Sequence, residues 1–205
     1  MSITKRILAR YRARTGSLVQ VDAPAAVAPM AIHNAGHVMA CLVTGQTFRF
    51  ASAETCRGVP LGLRKQSDNL LWEAVCLAGL VAEATAGQPG LSDEALLERI
   101  RNEDQPDDSE FHRPEGSNRP FEEQSGAVLA LAIVSANWQD IVMIALALAR
   151  SGRPMSRAEL LREVRNKRGA DLGSQFERWR SAIAVTRPLG GTGRSILNGS
   201  GGEIP

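Results

Sequence analysis

Hydrophobic positions in this chain recur mainly at three- and four-residue steps, the repeat of a helix that buries one face. "PMAIHNAGHVMACLVT" predicts a helix over about 29 to 44, with Gly45 placed to stop it. "DNLLWEAVCLAGLVAEATA", 68 to 86, sets Leu71, Val75, Ala78, Val81 and Ala82 at the same intervals and predicts a second helix. Ser92 is placed to cap a third, running to about Asn102. A long apolar helix is expected from about 121 to 150, closed by Ser151-Gly152-Arg153-Pro154, and Ser156 begins another to about Arg168. "TFRFASAE", 47 to 54, alternates and is rich in β-formers, so it reads as a strand; "GVPLGL" after it suggests a turn and a second short strand. The fold class expected is therefore mainly α, with a small β element after the first helix. No internal repeat is visible.

The polar stretches set the boundaries. Residues 1 to 28 form a basic arm and approach segment, in which Lys5, Arg6, Arg10, Arg12 and Arg14 precede the first acid, Asp22. The folded domain is expected over 29 to 168, interrupted at 103 to 123 by a loop with eight acids and several prolines. Residues 186 to 205 contain six glycines and little apolar periodicity, and are expected to be a disordered tail.

Composition narrows the classes. At 205 residues, with 43% hydrophobic and 22% charged residues, the chain suits one globular domain with tails. A net charge of +2 is too small to argue for a nucleic-acid partner by itself, and none is expected. Cys41, Cys56 and Cys76 are odd in number and lack C-x-x-C spacing, which suits buried thiols in a reducing compartment. With no apolar signal core at the N-terminus, a cytoplasmic protein is expected. The 126 to 150 stretch is long enough to cross a bilayer, but Asn137, Gln139 and Asp140 sit at its centre, so a buried helix and no membrane span are expected.

Candidate chemistry lies in the first helix. His33 and His37 are four residues apart, on one face and one turn from each other. Two imidazoles so placed can converge on one zinc ion. Cys41 continues the stripe but cannot share an ion with His33, because eight residues rise about 12 Å. A bare H-x-x-x-H in an apolar helix is a weak signal, since packed core histidines give the same pattern.

The surroundings of the pair add to this. "AIHNAGHVMACLVTG" resembles the "A-x-H-E-A-G-H-A-x-x-A-x-x-x-G" segment of the FtsH-like zinc metallopeptidase family, in particular its small stand-alone members without an ATPase. "VCLAGLVAEATAG", 75 to 87, is similar to the family's "L-A-G-x-A-A-E-x-x-x-G" helix. "NWQDIVMIALALARSGRPMSRAELLREV" is similar to the ending of those small homologues, so the resemblance spans about 30 to 165. It implies a helical FtsH-peptidase-like domain, zinc as cofactor, His33 and His37 as the first two ligands, and an Asp as the third. Asp93, in "GLSDEALLERI", has the family's local context; Asp107 and Asp108 are the alternatives, at a distance from His37 closer to that in full-length relatives. Glu83 is implied to orient a zinc ligand. No G-x-x-x-x-G-K-[ST] occurs, so no intrinsic ATPase is expected and any partner would be an unfolded polypeptide or a partner protein.

The family's catalytic Glu is replaced by Asn34. In H-E-x-x-H sites that Glu takes a proton from the attacking water and returns it to the leaving nitrogen. An amide does neither near pH 7, and general acid–base catalysis is worth about 10² to 10⁴ in rate. The expectation is a zinc metallopeptidase-like protein with weak or absent proteolysis. The alternative is a non-catalytic pseudopeptidase serving as a protein-interaction module.

Overall fold

The computed structural model of the protein describes residues 8, 9, 13, 27–46, 48–54, 69–102, 125–168 and 172–186. These form helices α1 (Pro29–Thr44), α2 (Asn69–Gly87), α3 (Asp93–Asn102), α4 (Ser125–Ala136), α5 (Trp138–Ser151), α6 (Arg157–Arg168) and α7 (Leu172–Thr186). Strands β1 (Phe50–Ala51) and β2 (Met155–Ser156) make one small sheet. The described part of the chain is mainly helical, as the hydrophobic periodicity predicts.

Helix α1 is the centre of the molecule. Pro29 supplies the preset φ of a first helical turn, and Gly45 ends the helix in the left-handed region at φ 78. Every residue from Ala31 to Val43 is buried. A helix apolar on all sides must be enclosed on all sides, and α2, α4, α5 and α7 surround this one. The closest approach is to α2. A Cβ at Gly36 would collide with the Ala78 carbonyl oxygen and lie 2.8 Å from the Ala82 Cβ, so only glycine lets these two helices meet here.

The long helix expected from about 121 to 150 is two helices, α4 and α5, bent by 79°. The break is at Asn137 (φ −121, ψ 22), whose Nδ2 donates to the Ile133 carbonyl at 2.7 Å. The Asn137 carbonyl meanwhile accepts from the Asp140 and Ile141 amides, which starts α5. An Asn side chain that competes for backbone partners in this way is a helix breaker. No single described helix is long and apolar enough to cross a membrane; the bent pair passes that test by length and composition only.

The strand expected over 47 to 54 is reduced to Phe50 and Ala51. It pairs antiparallel with Met155 and Ser156, far along the chain, in the register Phe50↔Ser156 and Ala51↔Met155. The "GVPLGL" segment lies outside the described residues, as does the Gly-rich tail beyond Thr186. Ser92 caps α3 through the Ala95 amide at 3.2 Å. Ser156 and Glu159 form a capping box at α6, with the Ser156 amide donating to Glu159 Oε2 at 2.7 Å and the Glu159 amide to Ser156 Oγ at 3.3 Å.

Two features depart from the sequence-based boundaries. Past Arg168, α7 buries Phe176, Trp179, Ala182 and Ile183 against the core, and its Gln175 Nε2 donates to Asn137 Oδ1 at 2.8 Å. Within the basic arm, Leu8 is buried in the same core.

Candidate functional site

The two imidazoles of α1 point into its seam with α2. His37 is fully buried and His33 only 5% exposed. His37 Nδ1 lies 2.7 Å from the Val75 carbonyl oxygen. His33 Nδ1 lies 3.1 Å from Glu83 Oε2, whose side chain is 43% exposed. The two Nε2 atoms face each other at 3.0 Å, with the rings edge-on at 73°.

These contacts fix the tautomers. A carbonyl oxygen only accepts, so His37 carries its hydrogen on Nδ1. The same reasoning applies to His33 against the Glu83 carboxylate. Each ring, when neutral, therefore carries a lone pair and no hydrogen at Nε2, and two such nitrogens facing each other at 3.0 Å repel. A cation between them resolves the conflict: a proton shared across the pair, or a metal ion. Two bonds of about 2.0 to 2.1 Å at tetrahedral angles place donor nitrogens about 3.3 Å apart, a few tenths of an ångström from the separation here. As a pair, the donors fit zinc.

Gly79, on α2, makes the arrangement possible. A Cβ there would lie 2.7 Å from His33 Nε2 and closer still to His37 Nε2. Gly79 and Glu83 are one turn apart, so α2 supplies both the space and the carboxylate. Sequence reasoning gives Gly79 no role at the site. Its one signal is a glycine in the middle of a helix, where it costs about 1 kcal/mol against alanine and so calls for a reason.

The remaining predicted positions divide. Asn34 is fully buried, and its Nδ2 donates to the Ser52 carbonyl at 2.8 Å, tying α1 to the residue after β1. Its Oδ1 is buried without a hydrogen-bond partner among the described residues. Asp93 stands at the first turn of α3, and among the described residues no third His, Cys, Asp or Glu joins the pair in a metal-sized group. Asp107 and Asp108 lie outside the described residues. Cys41 is a buried thiol and Cys76 a half-buried one, and Cys56 lies outside the described residues.

No family model matches this chain, and neither a curated protein nor a solved structure matches it.

Proposed function

We propose that this chain is an FtsH-peptidase-like helical protein that holds a divalent cation of the zinc class between His33 and His37, and that Asn34 deprives it of efficient peptide hydrolysis. The observation that carries this reading is the pair of Nε2 atoms 3.0 Å apart, each ring held by a separate acceptor at Nδ1. Ligating histidines characteristically give their other N–H to a carboxylate or a backbone carbonyl, which fixes the tautomer and raises donor strength. Both kinds of acceptor occur here. When bound, zinc would supply a Lewis acid to polarise a carbonyl or a water molecule.

The chain's own residues limit the chemistry around that ion. Glu83 and Val75 orient the donors, and Gly79 leaves them room. Asn34 is committed to the Ser52 carbonyl, so its amide N–H₂ holds backbone in place and cannot take up a proton from water near pH 7. That commitment favours a binding role over turnover, with an unfolded polypeptide or a partner protein as the bound species.

Elemental analysis and zinc competition against a chromophoric chelator test the proposal. The expected result is one zinc per chain, lost in His37→Ala and in His33→Ala. Protein that neither carries zinc nor takes it up would overturn the metal reading. Zinc-dependent cleavage of an unfolded casein by the wild-type chain, abolished by His37→Ala, would overturn the non-hydrolytic one.

A further inference from the structure

The net charge of +2 conceals a strong segregation of charge along the chain. Residues 69–124 carry thirteen acids and four bases, whereas residues 141–205 carry eleven bases and five acids. Of the 24 basic residues, 21 are arginine, the side chain whose planar fork matches phosphate bidentately. Helix α6 is where this excess becomes a surface.

The two acids of α6 are both occupied with α5 and the turn after it. Arg153 Nη2 donates to Glu159 Oε1 at 2.6 Å, and Arg150 Nη2 lies 3.8 Å from Glu163 Oε2. At about 100° per residue, Glu159 and Glu163 project from one side of the helix, while Leu160 and Val164 face the core. The remaining side carries Arg162 and Arg165, whereas half-buried Arg157, seven residues before Val164, lies toward the core side. Arg162 and Arg165 are exposed, and neither pairs with an acid among the described residues. The buried Nε of Arg157 has no acceptor there. The register that pairs Phe50 with Ser156 brings Arg49, also exposed and without an acidic partner among the described residues, alongside the start of α6. Exposed Arg162 and Arg165, about 4.5 Å apart along the helix axis, make with Arg49 a short charged track.

What this track lacks decides its partner. Protein-binding faces are anchored by buried aromatic or large apolar side chains. The one exposed large hydrophobic residue among those described is Met30, on α1. A face that is basic, arginine-built and without apolar anchors suits repeated phosphates. The geometry points to the outer face of α6, with Arg49, Arg162 and Arg165, as a binding surface for the phosphodiester backbone of a nucleic acid, read without base specificity.

Fluorescence anisotropy of the full chain with a labelled mixed-sequence oligonucleotide of about 20 nucleotides, single-stranded and duplex, at about 50 to 200 mM KCl tests this. The double variant Arg162→Ala/Arg165→Ala should bind at least about fivefold more weakly. Its salt slope should fall by about 1.4 to 1.8, since each phosphate contact contributes about 0.7 to 0.9. Arg10→Ala/Arg12→Ala, which removes equal charge from the basic arm, should change both much less. Circular dichroism checks the fold, and the single variants carry the same test if the double one loses helix. Three results would each overturn the inference: no binding of either probe at about 50 mM, an α6 loss no greater than the arm loss, or competition by polyglutamate as effective as unlabelled oligonucleotide at equal charge. The last would assign the face to acidic polypeptides instead.

Discussion

Gly79→Ala is the substitution that tests the candidate site most directly. The added methyl would lie 2.7 Å from His33 Nε2 and 2.8 Å from His33 Cδ2, with His37 Nε2 nearer still, whereas ordinary contact begins at 3.4 Å. His33 must therefore retreat by at least 0.7 Å (3.4 less 2.7) and His37 by more. Neither ring has slack, because their Nδ1 atoms are held at 3.1 Å by Glu83 and at 2.7 Å by Val75. Overpacking of this kind costs about 1 to 3 kcal/mol, and loss of one buried hydrogen bond about 1 kcal/mol more. The helix itself gains roughly 0.8 to 1 kcal/mol from alanine, so the net cost is about 1 to 3 kcal/mol. At about 2 to 4 °C per kcal/mol, Tm should fall by roughly 2 to 12 °C.

Zinc affinity should fall further than stability, since displacing a ligand's orienting partner alone costs about 10- to 100-fold. The assays are a thermal melt and zinc competition on the same preparations. Two controls separate the causes. Gly87→Ala, on the same helix with nothing within 4 Å of the new methyl, should leave zinc affinity unchanged and melt no lower than wild type. Gly36→Ala pushes on the Ala78 carbonyl and the Ala82 Cβ, so it should destabilise the α1–α2 seam without touching the rings. A Gly79→Ala protein with the melting point and zinc affinity of Gly87→Ala would refute this reading of the site.

Glu83→Gln keeps the size of the side chain and removes its charge; zinc should bind about 10- to 100-fold more weakly while Tm barely moves, because the residue is half-exposed. Equal affinity would separate Glu83 from the metal. Asn34→Glu turns the donor to Ser52 into an acceptor in a fully buried position, and should cost more than about 3 kcal/mol in a denaturant melt. The zinc-loaded variant should nonetheless cleave an unfolded casein faster than wild type; a loaded, folded variant with no gain would show that more than residue 34 suppresses hydrolysis. At α6, the hydrogen bond from Arg153, then the Ser156 amide and hydroxyl, hold the Glu159 carboxyl at about 2, below its usual 4.5. A depressed carboxyl pKa stabilises the fold above the unfolded value and loses that effect as pH falls through the folded one. The Tm gap between wild type and Glu159→Gln should thus be full above about pH 4.5 and close toward pH 2; a gap indifferent to pH would contradict the capping box.

The helices are more legible in the sequence than their relations. Periodicity locates α1, α2 and α3 nearly to the residue, because each has a cap or a glycine stop and one burial pattern. It runs α4 and α5 together, because Asn137 breaks the helix through its own side chain while both flanks remain apolar. Helix α7 escapes notice although Phe176, Trp179, Ala182 and Ile183 recur at helical spacing, since the glycines beyond it dominate the composition of the C-terminal stretch. Strand β2 is invisible to pattern, being two residues long and made a strand only by its distant partner. At the site, the spacing of His33 and His37 reveals that the rings share a face. It carries no information about Val75, whose contribution is a backbone carbonyl, or about Ser52, which meets Asn34 in the same way. Backbone partners have no residue-type signature, so half of what orients the pair is legible only in three dimensions.

Charge balance then limits what the site can hold. With a shared proton, the pair carries one positive charge beside one carboxylate, Glu83, at 3.1 Å, and the ensemble is neutral. With a divalent ion, the two imidazoles add no charge, and one unit is left over inside a helix flanked on every side by apolar residues. Burying an uncompensated charge is expensive, so a metal held by these two nitrogens recruits a further anionic or strongly dipolar oxygen. Asp93, Asp107 or Asp108 would make that oxygen the chain's own and still leave the fourth position of a tetrahedral ion open. A carboxylate or carbonyl brought by a bound polypeptide would instead make the metal the point of capture, which is the form the proposed binding role requires while the Asn34 amide stays fastened to Ser52.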